Sequence, residues 1–208
     1  MVSQRQGFAD PSSRSTVEAM LTDEDGELMV RYARGEVRAF EQLYAKHRGP
    51  LYRYLMRHLH HAETANDLFQ EVWSKVIASR ERYEPRAKFT TFLYHVAHNC
   101  CIDHYRRARN RLERPPLDED WQMAAAAPAR ERPDAKVERE EVAARYQVAL
   151  KALPPEQRDV FLLYEESGLS LEEIGHITGV GMETAKSRLR YAVAKLRGAL
   201  SGTAEAGT

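Results

Sequence analysis

Cysteine is scarce in this chain of 208 residues, because the only two cysteines are the adjacent Cys100 and Cys101. A disulfide requires a specific separation of its two Cα atoms, so neighbouring cysteines bridge only with strain. This excludes a small protein held together by disulfides. It fits a protein of a reducing compartment such as the cytoplasm.

Long apolar runs are also missing. No stretch approaches the roughly 18 apolar residues that span a bilayer, so we expect no membrane helix. The first residues, MVSQRQGFADPSSRST, lack the apolar centre of a signal peptide. We therefore expect a cytoplasmic protein with no membrane partner, with disordered tails over residues 1–24 and 201–208.

Neither sign of charge dominates, since 31 Lys and Arg balance 31 Asp and Glu. The charges are nevertheless unevenly distributed. Five arginines and one acid lie between residues 104 and 114, and five bases and one acid between residues 182 and 197. Residues 117–141 contain eight acids and four bases. The neutral total therefore hides two basic patches, which are typical of nucleic-acid binding, and one acidic stretch.

Strand-like alternation of useful length is absent, and apolar residues recur instead at helical spacing. Four such patterns fill residues 25–112, and Pro50 is predicted to kink or split the second. Prolines, an alanine run and mixed charge predict a flexible acidic linker over residues 113–137. Helical spacing resumes over residues 138–200. The sequence predicts an all-α fold of two small helical domains joined by this linker.

A local motif lies near the C-terminus, where residues 170–197 read SLEEIGHITGVGMETAKSRLRYAVAKLR. Ser170 and Glu173 form a capping box that predicts a helix start, and two glycines predict the turn after that helix. The next helix is predicted to bury Met182, Ala185, Leu189, Val193 and Leu196, and to expose a basic side. This pattern favours a DNA-binding helix-turn-helix over an ordinary helical hairpin with a solvated face.

A second cluster, LYHVAHNCCIDHYRRARNR (93–111), contains three histidines and two cysteines within ten residues. On a helical wheel Cys100 falls on the apolar stripe, Cys101 at its margin, and His95 and His98 on the opposite side. The ligands of a structural zinc site must converge on a tetrahedron, which this pattern does not favour. No P-loop, nucleophile elbow or carboxylate pair accompanies them. We expect no metal, no cofactor and no catalytic site; a metal-dependent enzyme is the alternative.

Four stretches in this order resemble the extracytoplasmic-function (ECF) group of bacterial RNA polymerase sigma factors, within the sigma-70 family. They are ANDLFQEVWSKV (65–76), KFTTFLYHVAHNCCIDHYRR (88–107), LPPEQRDVFLLYEESGLSLEEIG (153–175) and TAKSRLRYAVAKLR (184–197). The resemblance implies sigma region 2 over residues 25–112 and region 4 over residues 138–200. It implies an alternative sigma factor that directs core RNA polymerase to specific promoters and has no active site. A stand-alone helix-turn-helix regulator is the alternative.

The resemblance also implies where region 2 meets its partners. The helix over residues 65–77 would dock on the clamp helices of the largest polymerase subunit, through Glu63, Asp67, Gln70, Glu71 and Ser74. The next loop and helix would open the −10 element, and an unstacked base needs aromatic and basic side chains around it. The candidate residues for this role are Arg82, Tyr83, Arg86, Lys88, Phe89, Thr90, His95, His98, Arg106 and Arg109.

Region 4, by the same resemblance, would contact the flap of the second polymerase subunit and read the −35 element. The candidate residues of its recognition helix are Glu183, Thr184, Lys186, Ser187, Arg188 and Arg190. An anti-sigma factor is a further implied partner.

A further hypothesis is that Thr64 is the target of a regulatory Ser/Thr kinase. The family usually has Ala-Glu-Asp-Leu where this chain has Ala65-Asn66-Asp67-Leu68, so one negative charge is missing from the docking side. Phosphorylation of Thr64 would add negative charge at a helix N-terminus, where an anion is favoured. The alternative is a plain threonine at the start of a helix.

Overall fold

A computed structural model of the protein describes residues 23–112 and 133–201. Within these two segments the chain is helical and contains no β-strand, as the sequence predicted. The helices are α1 (Glu24–Ala33), α2 (Val37–Leu59), α3 (Ala62–Ser79), α4 (Phe89–Leu112), α5 (Pro133–Lys151), α6 (Pro155–Ser167), α7 (Leu171–Thr178) and α8 (Met182–Ser201). A 3₁₀ turn, Arg80–Arg82, follows α3. No helix in the described segments is long and apolar enough to cross a membrane.

The first four helices share an apolar core built from the predicted stripes. Leu68, Val72 and Val76 of α3 are buried on the side that packs on α2 and α4. Trp73 extends this core, because its ring lies 5.0 Å from the ring of Tyr44 in α2. This packing buries the apolar side of α3 against α2 and α4 and leaves the opposite, polar side exposed to solvent.

The second helix continues through Pro50 as one element, so the proline does not split it, which was one of the two predicted outcomes. Proline lacks the N–H that would bond to the carbonyl four residues earlier, which costs roughly 3 kcal/mol in a helix interior. Leu51, Tyr54 and Leu55, directly after it, are fully buried. The packing of these side chains outweighs the local penalty.

The last four helices contain the predicted helix-turn-helix, formed by α7 and α8. The Ser170 hydroxyl accepts from the Glu173 amide at 3.2 Å, and the Glu173 carboxylate accepts from the Ser170 amide at 2.8 Å. The predicted capping box is therefore confirmed. Helix α7 ends at Thr178, and the next residue, Gly179, caps it with a φ of 69°, in the left-handed region that favours glycine.

The buried side of α8 differs from the prediction. Ala185, Ala192 and Leu196 are buried, whereas Met182 is 49% exposed and Val193 is 36% exposed. Val193 and its neighbour Ala192 both fit an apolar series that includes Ala185 and Leu196, so helical spacing alone does not show which of the two is buried. The contacts of α8 with α5, α6 and α7 select the set that contains Ala192.

The C-terminal end of the predicted linker is corrected, because α5 begins at Pro133, within the predicted range 113–137. Proline suits the first turn of a helix, where its missing N–H would have had no partner. The remainder of the predicted linker, residues 113–132, lies outside the described residues.

The two groups of helices pack against each other. The contacts join α6 to α2 and α7 to α4. Five buried polar residues lie at this contact: His58, Thr91, His98, Asp159 and Glu166. The sequence predicted the two domains but not their contact.

Candidate docking and nucleic-acid surfaces

The polar side of α3 is an exposed acidic and amide-bearing surface. Glu63, Asp67, Gln70 and Ser74 are all exposed. They recur every three or four residues, so they form one line along the helix, away from the core side of Leu68 and Val72. We call this line of four residues the docking face.

Glu71 was predicted to belong to the same line, but its side chain is half-buried and pairs with two cations. Its carboxylate lies 2.7 Å from Lys75 Nζ and 3.8 Å from Arg107 Nη2. The hydrogen bond from Lys75 lowers the pKa of Glu71, although partial burial opposes this change. The two cations neutralise much of its charge, so Glu71 adds less to the docking face than Asp67 does.

Thr64 lies in the first turn of α3, beside the residue that caps the helix. The cap is His61, whose Nδ1 accepts from the Thr64 amide at 3.4 Å. The Thr64 hydroxyl lies 3.2 Å from the same nitrogen. The sequence pattern did not indicate a histidine in this capping role, because caps are more often Ser, Thr, Asp or Asn.

The loop between α3 and α4 carries most of the residues predicted to meet the −10 element. Arg82, Arg86 and Lys88 are exposed, and Thr90 is half-buried. The ring of Tyr83 is half-buried and lies 5.3 Å from that of Phe92. Burial, with the carboxylates of Asp23 and Asp25 nearby, raises the pKa of Tyr83 well above its ordinary value.

Phe89, predicted to contact the −10 element, is fully buried. Its ring lies 5.3 Å from that of His47, and its amide donates to Asp23 Oδ2 at 2.7 Å at the start of α4. No surface of the ring remains for a base. We correct the prediction and assign Phe89 to the core.

A cavity of about 170 Å³ lies beside this loop. Tyr83, Phe92 and Thr91 contribute to its wall from the first group of helices, and His176 of α7 contributes from the second. The cavity combines aromatic rings with polar groups, which is the chemistry that an unstacked base requires.

The polar side of α4 divides into an exposed and a covered part. His95, Arg106 and Arg109 are exposed, and Arg106 pairs with Asp103 at 2.7 Å. His98, by contrast, is buried, with its Nδ1 3.1 Å from Asp159 Oδ2 in α6. In this conformation His98 cannot reach DNA, because the second group of helices covers it.

The two cysteines are both fully buried. This is as predicted for Cys100 but not for Cys101, which was placed at the margin of the apolar stripe. Burial raises the pKa of both thiols. Over the described part of the chain, no group of three or more His, Cys, Asp or Glu side chains is arranged to hold a metal ion.

The recognition helix α8 presents a polar side whose first three turns contain the predicted −35 residues. Glu183, Thr184, Lys186 and Arg190 are exposed, and Ser187 and Arg188 are half-buried. Lys186 Nζ lies 3.5 Å from Glu183 Oε1, and the Arg190 guanidinium lies 5.1 Å from the centre of the Tyr191 ring.

Comparison with known proteins identifies both groups of helices. The family Sigma-70 region 2 matches residues 43–111, and the family Sigma-70, region 4 matches residues 149–198. The chain is 32% identical to RNA polymerase sigma factor CarQ of Myxococcus xanthus over 170 residues, which cover 81% of this chain and 93% of that protein. It is also 32% identical to the RNA polymerase sigma-H factor of Pseudomonas aeruginosa, over 82% of this chain and 91% of that protein.

The chain belongs to the ECF group of the sigma-70 family.

Solved structures share the fold of this sigma factor. CnrH, in complex with the cytosolic domain of CnrY, superposes with a TM-score of 0.63 at 23% identity and covers 86% of this chain and 98% of that one. The sigma factor RpoE of Bartonella quintana, in complex with the anti-sigma factor NepR, superposes with a TM-score of 0.62 at 23% identity, covering 77% and 96%. In this sigma factor the region 2 match includes α3 and most of α2 and α4, and the region 4 match includes α6, α7 and most of α8.

Proposed function

We propose that this alternative sigma factor binds the clamp helices of the largest polymerase subunit through the docking face of α3. Region 4 would contact the flap of the second subunit. The observation that supports this is the composition of the exposed surfaces: the docking face carries two carboxylates and no cation, whereas the loop before α4 and the polar sides of α4 and α8 carry exposed arginines and lysines. An acidic surface repels DNA and suits a basic protein partner.

Promoter opening would take place at the loop before α4. Arg82, Arg86 and Lys88 would attract the phosphates, and the cavity beside Tyr83 would receive the unstacked base. Phe92, whose ring contacts that of Tyr83, adds a second aromatic ring to the cavity wall. Along α4, His95, Arg106 and Arg109 would meet the duplex upstream, with His98 joining them if region 4 moves away. Polymerase performs the chemistry, and this chain supplies no chemical step.

Recognition of the −35 element would divide along α8 between base reading and phosphate binding. A recognition helix brings its N-terminal residues against base edges and its later basic residues near the phosphates. Glu183 can accept from the amino group of cytosine, and Arg188 can donate to guanine or to a phosphate. Lys186 and Arg190 are better placed for the backbone, and Thr184 and Ser187 complete the polar side.

Reconstitution distinguishes this function from a stand-alone regulator. Genomic promoter fragments are first recovered by sequencing DNA that copurifies with the protein and polymerase from cells. These fragments are then tested in run-off transcription and in gel shifts with and without core polymerase. We expect transcription and tight binding only when both proteins are present. Tight, specific binding by the isolated chain with no effect of polymerase would favour the regulator.

Two regulators of this chain are also proposed: an anti-sigma factor and a Ser/Thr kinase. The structural neighbours CnrH and RpoE were solved with CnrY and the anti-sigma factor NepR, which supports an anti-sigma partner for this chain. A Ser/Thr kinase acting on Thr64 would add about 1.5 to 2 negative charges next to His61 and the docking face. If Thr64→Ala and Thr64→Glu both support wild-type transcription in cells, the kinase proposal fails.

A further inference from the structure

Cys100 of α4 lies in direct contact with a lysine of the neighbouring helix. Lys75 of α3 donates a hydrogen bond from its Nζ to Cys100 Sγ at 3.3 Å. The thiol in turn lies 3.8 Å from Glu71 Oε1, also in α3. A sulfur, an amine and a carboxylate are therefore brought together by two helices. We call these three residues the thiol–amine cluster.

The carboxylate of the cluster is placed to take a proton from the lysine. Glu71 Oε1 lies 2.7 Å from Lys75 Nζ. This hydrogen bond raises the pKa of Lys75 and keeps it mostly protonated, so the amine reacts through its less populated neutral form. Transfer of the ammonium proton to Glu71 exposes a nitrogen lone pair beside the sulfur. The cluster thus contains both a nucleophile and its proton acceptor.

The sulfur is buried beneath side chains that are themselves in contact with water. Cys100 is fully buried, whereas the side chains of Lys75 and Glu71 are 45% and 33% exposed. Burial raises the pKa of the Cys100 thiol, and the hydrogen bond from Lys75 opposes this change. A lysine has a flexible four-carbon stem, so its rotation away from the thiol opens a route for a molecule as small as peroxide.

We propose that Lys75 and Cys100 form an oxidative cross-link, a sulfenamide in which the sulfur is bonded to the lysine nitrogen. The oxidant is hydrogen peroxide. The Cys100 thiol first gives two electrons to the O–O bond of peroxide, which yields a sulfenic acid and one water. The neutral amine of Lys75 then attacks the sulfur, and the S–OH bond breaks. The hydroxide leaves as a second water, with a proton from the nitrogen, while the ammonium proton passes through Glu71 to solvent.

The geometry favours this bond over the other partners of a sulfenic acid. Sulfenic acids condense with thiols or with nitrogen, and the Lys75 nitrogen is already in contact with the sulfur. The remaining approach is short, and the flexible lysine stem can supply it. Cys101 is the next residue in the chain, and neighbouring cysteines bridge only with strain. The nitrogen is therefore the favoured partner.

The cross-link changes the charge beside the docking face. In the reduced chain Lys75 lies against Glu71 and neutralises part of its charge. A nitrogen bonded to sulfur is no longer a cation at neutral pH, so Glu71 recovers negative charge one turn from Asp67. Peroxide therefore strengthens the binding of core polymerase. This consequence rests on the proposed function, because it takes the docking face as the polymerase surface, whereas the cross-link itself does not.

Peptide mass spectrometry of the full-length chain, treated with hydrogen peroxide at mildly alkaline pH, tests the cross-link. Trypsin does not cleave at a modified lysine, so residues 58–80 should remain one peptide, joined to the peptide of residues 89–106. The joined mass should be lower than the sum of both peptides by about 2 Da, the two hydrogens lost. Neither peptide contains methionine, so oxidation of methionine does not disturb the measurement. Dithiothreitol should separate the two peptides.

Two variants separate the sulfenamide from other oxidation products. Cys101→Ala keeps the thiol–amine cluster and should still give the joined peptide. Lys75→Arg keeps a cation beside Glu71, but a guanidinium stays protonated and does not attack the sulfur. It should give no joined peptide and should carry added oxygen on Cys100. Circular dichroism before treatment checks that both variants retain the helix content of the wild type.

The wild type decides the proposal even if a variant misfolds. A disulfide between the adjacent cysteines, or oxygen added to Cys100 without a joined peptide, overturns the cross-link. So does an unchanged Cys100 at a peroxide dose that oxidises Met182, which is 49% exposed and reports that the oxidant has acted.

A fluorescence titration with core polymerase, after the peroxide has been removed, tests the consequence for docking. We expect the cross-linked chain to bind at least about twofold more tightly than the reduced chain, the scale of one exposed charge. Lys75→Arg treated in the same way should bind as it does before treatment. Equal affinities of the joined and reduced chains overturn the effect on docking. Failure of the proposed docking face is recognised separately, because it leaves the joined peptide in place.

Discussion

His60, the residue after α2, has a left-handed backbone conformation and a lowered side-chain pKa. Its φ of 59° makes it the C-cap of α2 in the left-handed region. Burial, together with the positive charges of Arg158 and Lys151 from region 4, lowers the pKa of His60 from 6.5 to about 4. The folded chain therefore binds fewer protons at this site than the unfolded chain does between these two values.

Acid should consequently destabilise the protein through His60. As the pH falls from 6.5 towards about 4, the unfolded state gains a proton that the folded state resists, so the free energy of unfolding decreases. His60→Asn keeps a residue that tolerates this backbone conformation and removes the titration. Urea unfolding at several pH values should show the variant gaining stability relative to the wild type as the pH falls. A difference that is constant over this range would contradict the assignment.

Asp67 is the residue on which the proposed docking depends most. Asp67→Arg places a positive charge against a basic partner, and such a like-charge contact costs several kcal/mol where it is desolvated. We expect much weaker binding of core polymerase with an intact fold, measured by fluorescence titration and circular dichroism. Glu41→Arg, at an exposed position of α2, is the control for net charge. Affinities that are the same for Asp67→Arg and the wild type would exclude this docking face.

At the scale of single helices, the sequence determined where elements begin but not always which side they bury. The capping box of Ser170 and the glycine turn are local, so they could be read directly from the sequence. The side of α8 was misjudged because Val193 and Ala192 both continue an apolar series, and only the packing of α5 and α6 decides between them. His98 was misplaced for a related reason: region 4 covers it through Asp159, a residue 61 positions further along the chain.

The turn of the helix-turn-helix depends on Gly175 in α7. A Cβ at this position would lie 2.7 Å from the Val180 carbonyl oxygen, which is backbone and cannot rotate away. Gly175→Ala should therefore destabilise region 4 by about 1–3 kcal/mol, the usual cost of overpacking. Gly198→Ala is the control, because a Cβ there meets nothing within 4 Å and alanine favours a helix. Thermal unfolding that ranks the two variants in the opposite order would contradict this close approach.

The recognition helix should contain two classes of residue that fail differently. Glu183→Ala should relax sequence preference at one or two base pairs, by roughly 1–3 kcal/mol per lost base contact. Arg190→Ala should weaken all promoters about equally and reduce the salt dependence by about one unit of slope. Run-off transcription from a library randomised at −35, at two salt concentrations, measures both. A uniform loss for Glu183→Ala, with altered preference for Arg190→Ala, would mean that the base-reading side is assigned wrongly.

At the scale of the whole molecule, the sequence predicted two domains but gave no sign of the contact between them. Asp159 and His58 are separated by 101 residues, and Glu166 and Arg53 by 113. Helical spacing predicts that charged residues such as Asp159 and Glu166 lie on the exposed side of α6, so the sequence alone assigns both acids to the surface. Only the folded chain brings these carboxylates to the cations of region 2, and side-chain periodicity carries no information about such distant partners.

Tyr94 offers a test of that contact which leaves every charge in place. The side chain is almost fully buried, and its hydroxyl donates to the Glu166 carbonyl across the boundary between the regions. Tyr94→Phe keeps the ring in its T-shaped contact with Tyr54 and removes only this hydrogen bond, which should cost about 1 kcal/mol. Tyr164 of α6 is 45% exposed, so the control substitution Tyr164→Phe should have little effect.

Because the regions share buried contacts, we expect the wild type to unfold in urea as one cooperative transition, followed by circular dichroism. Tyr94→Phe should shift its midpoint downwards by weakening the contact. If the wild type already unfolds in two steps, and Tyr94→Phe alters neither midpoint, then the two regions are independent in solution. The contact between them would then not contribute to stability.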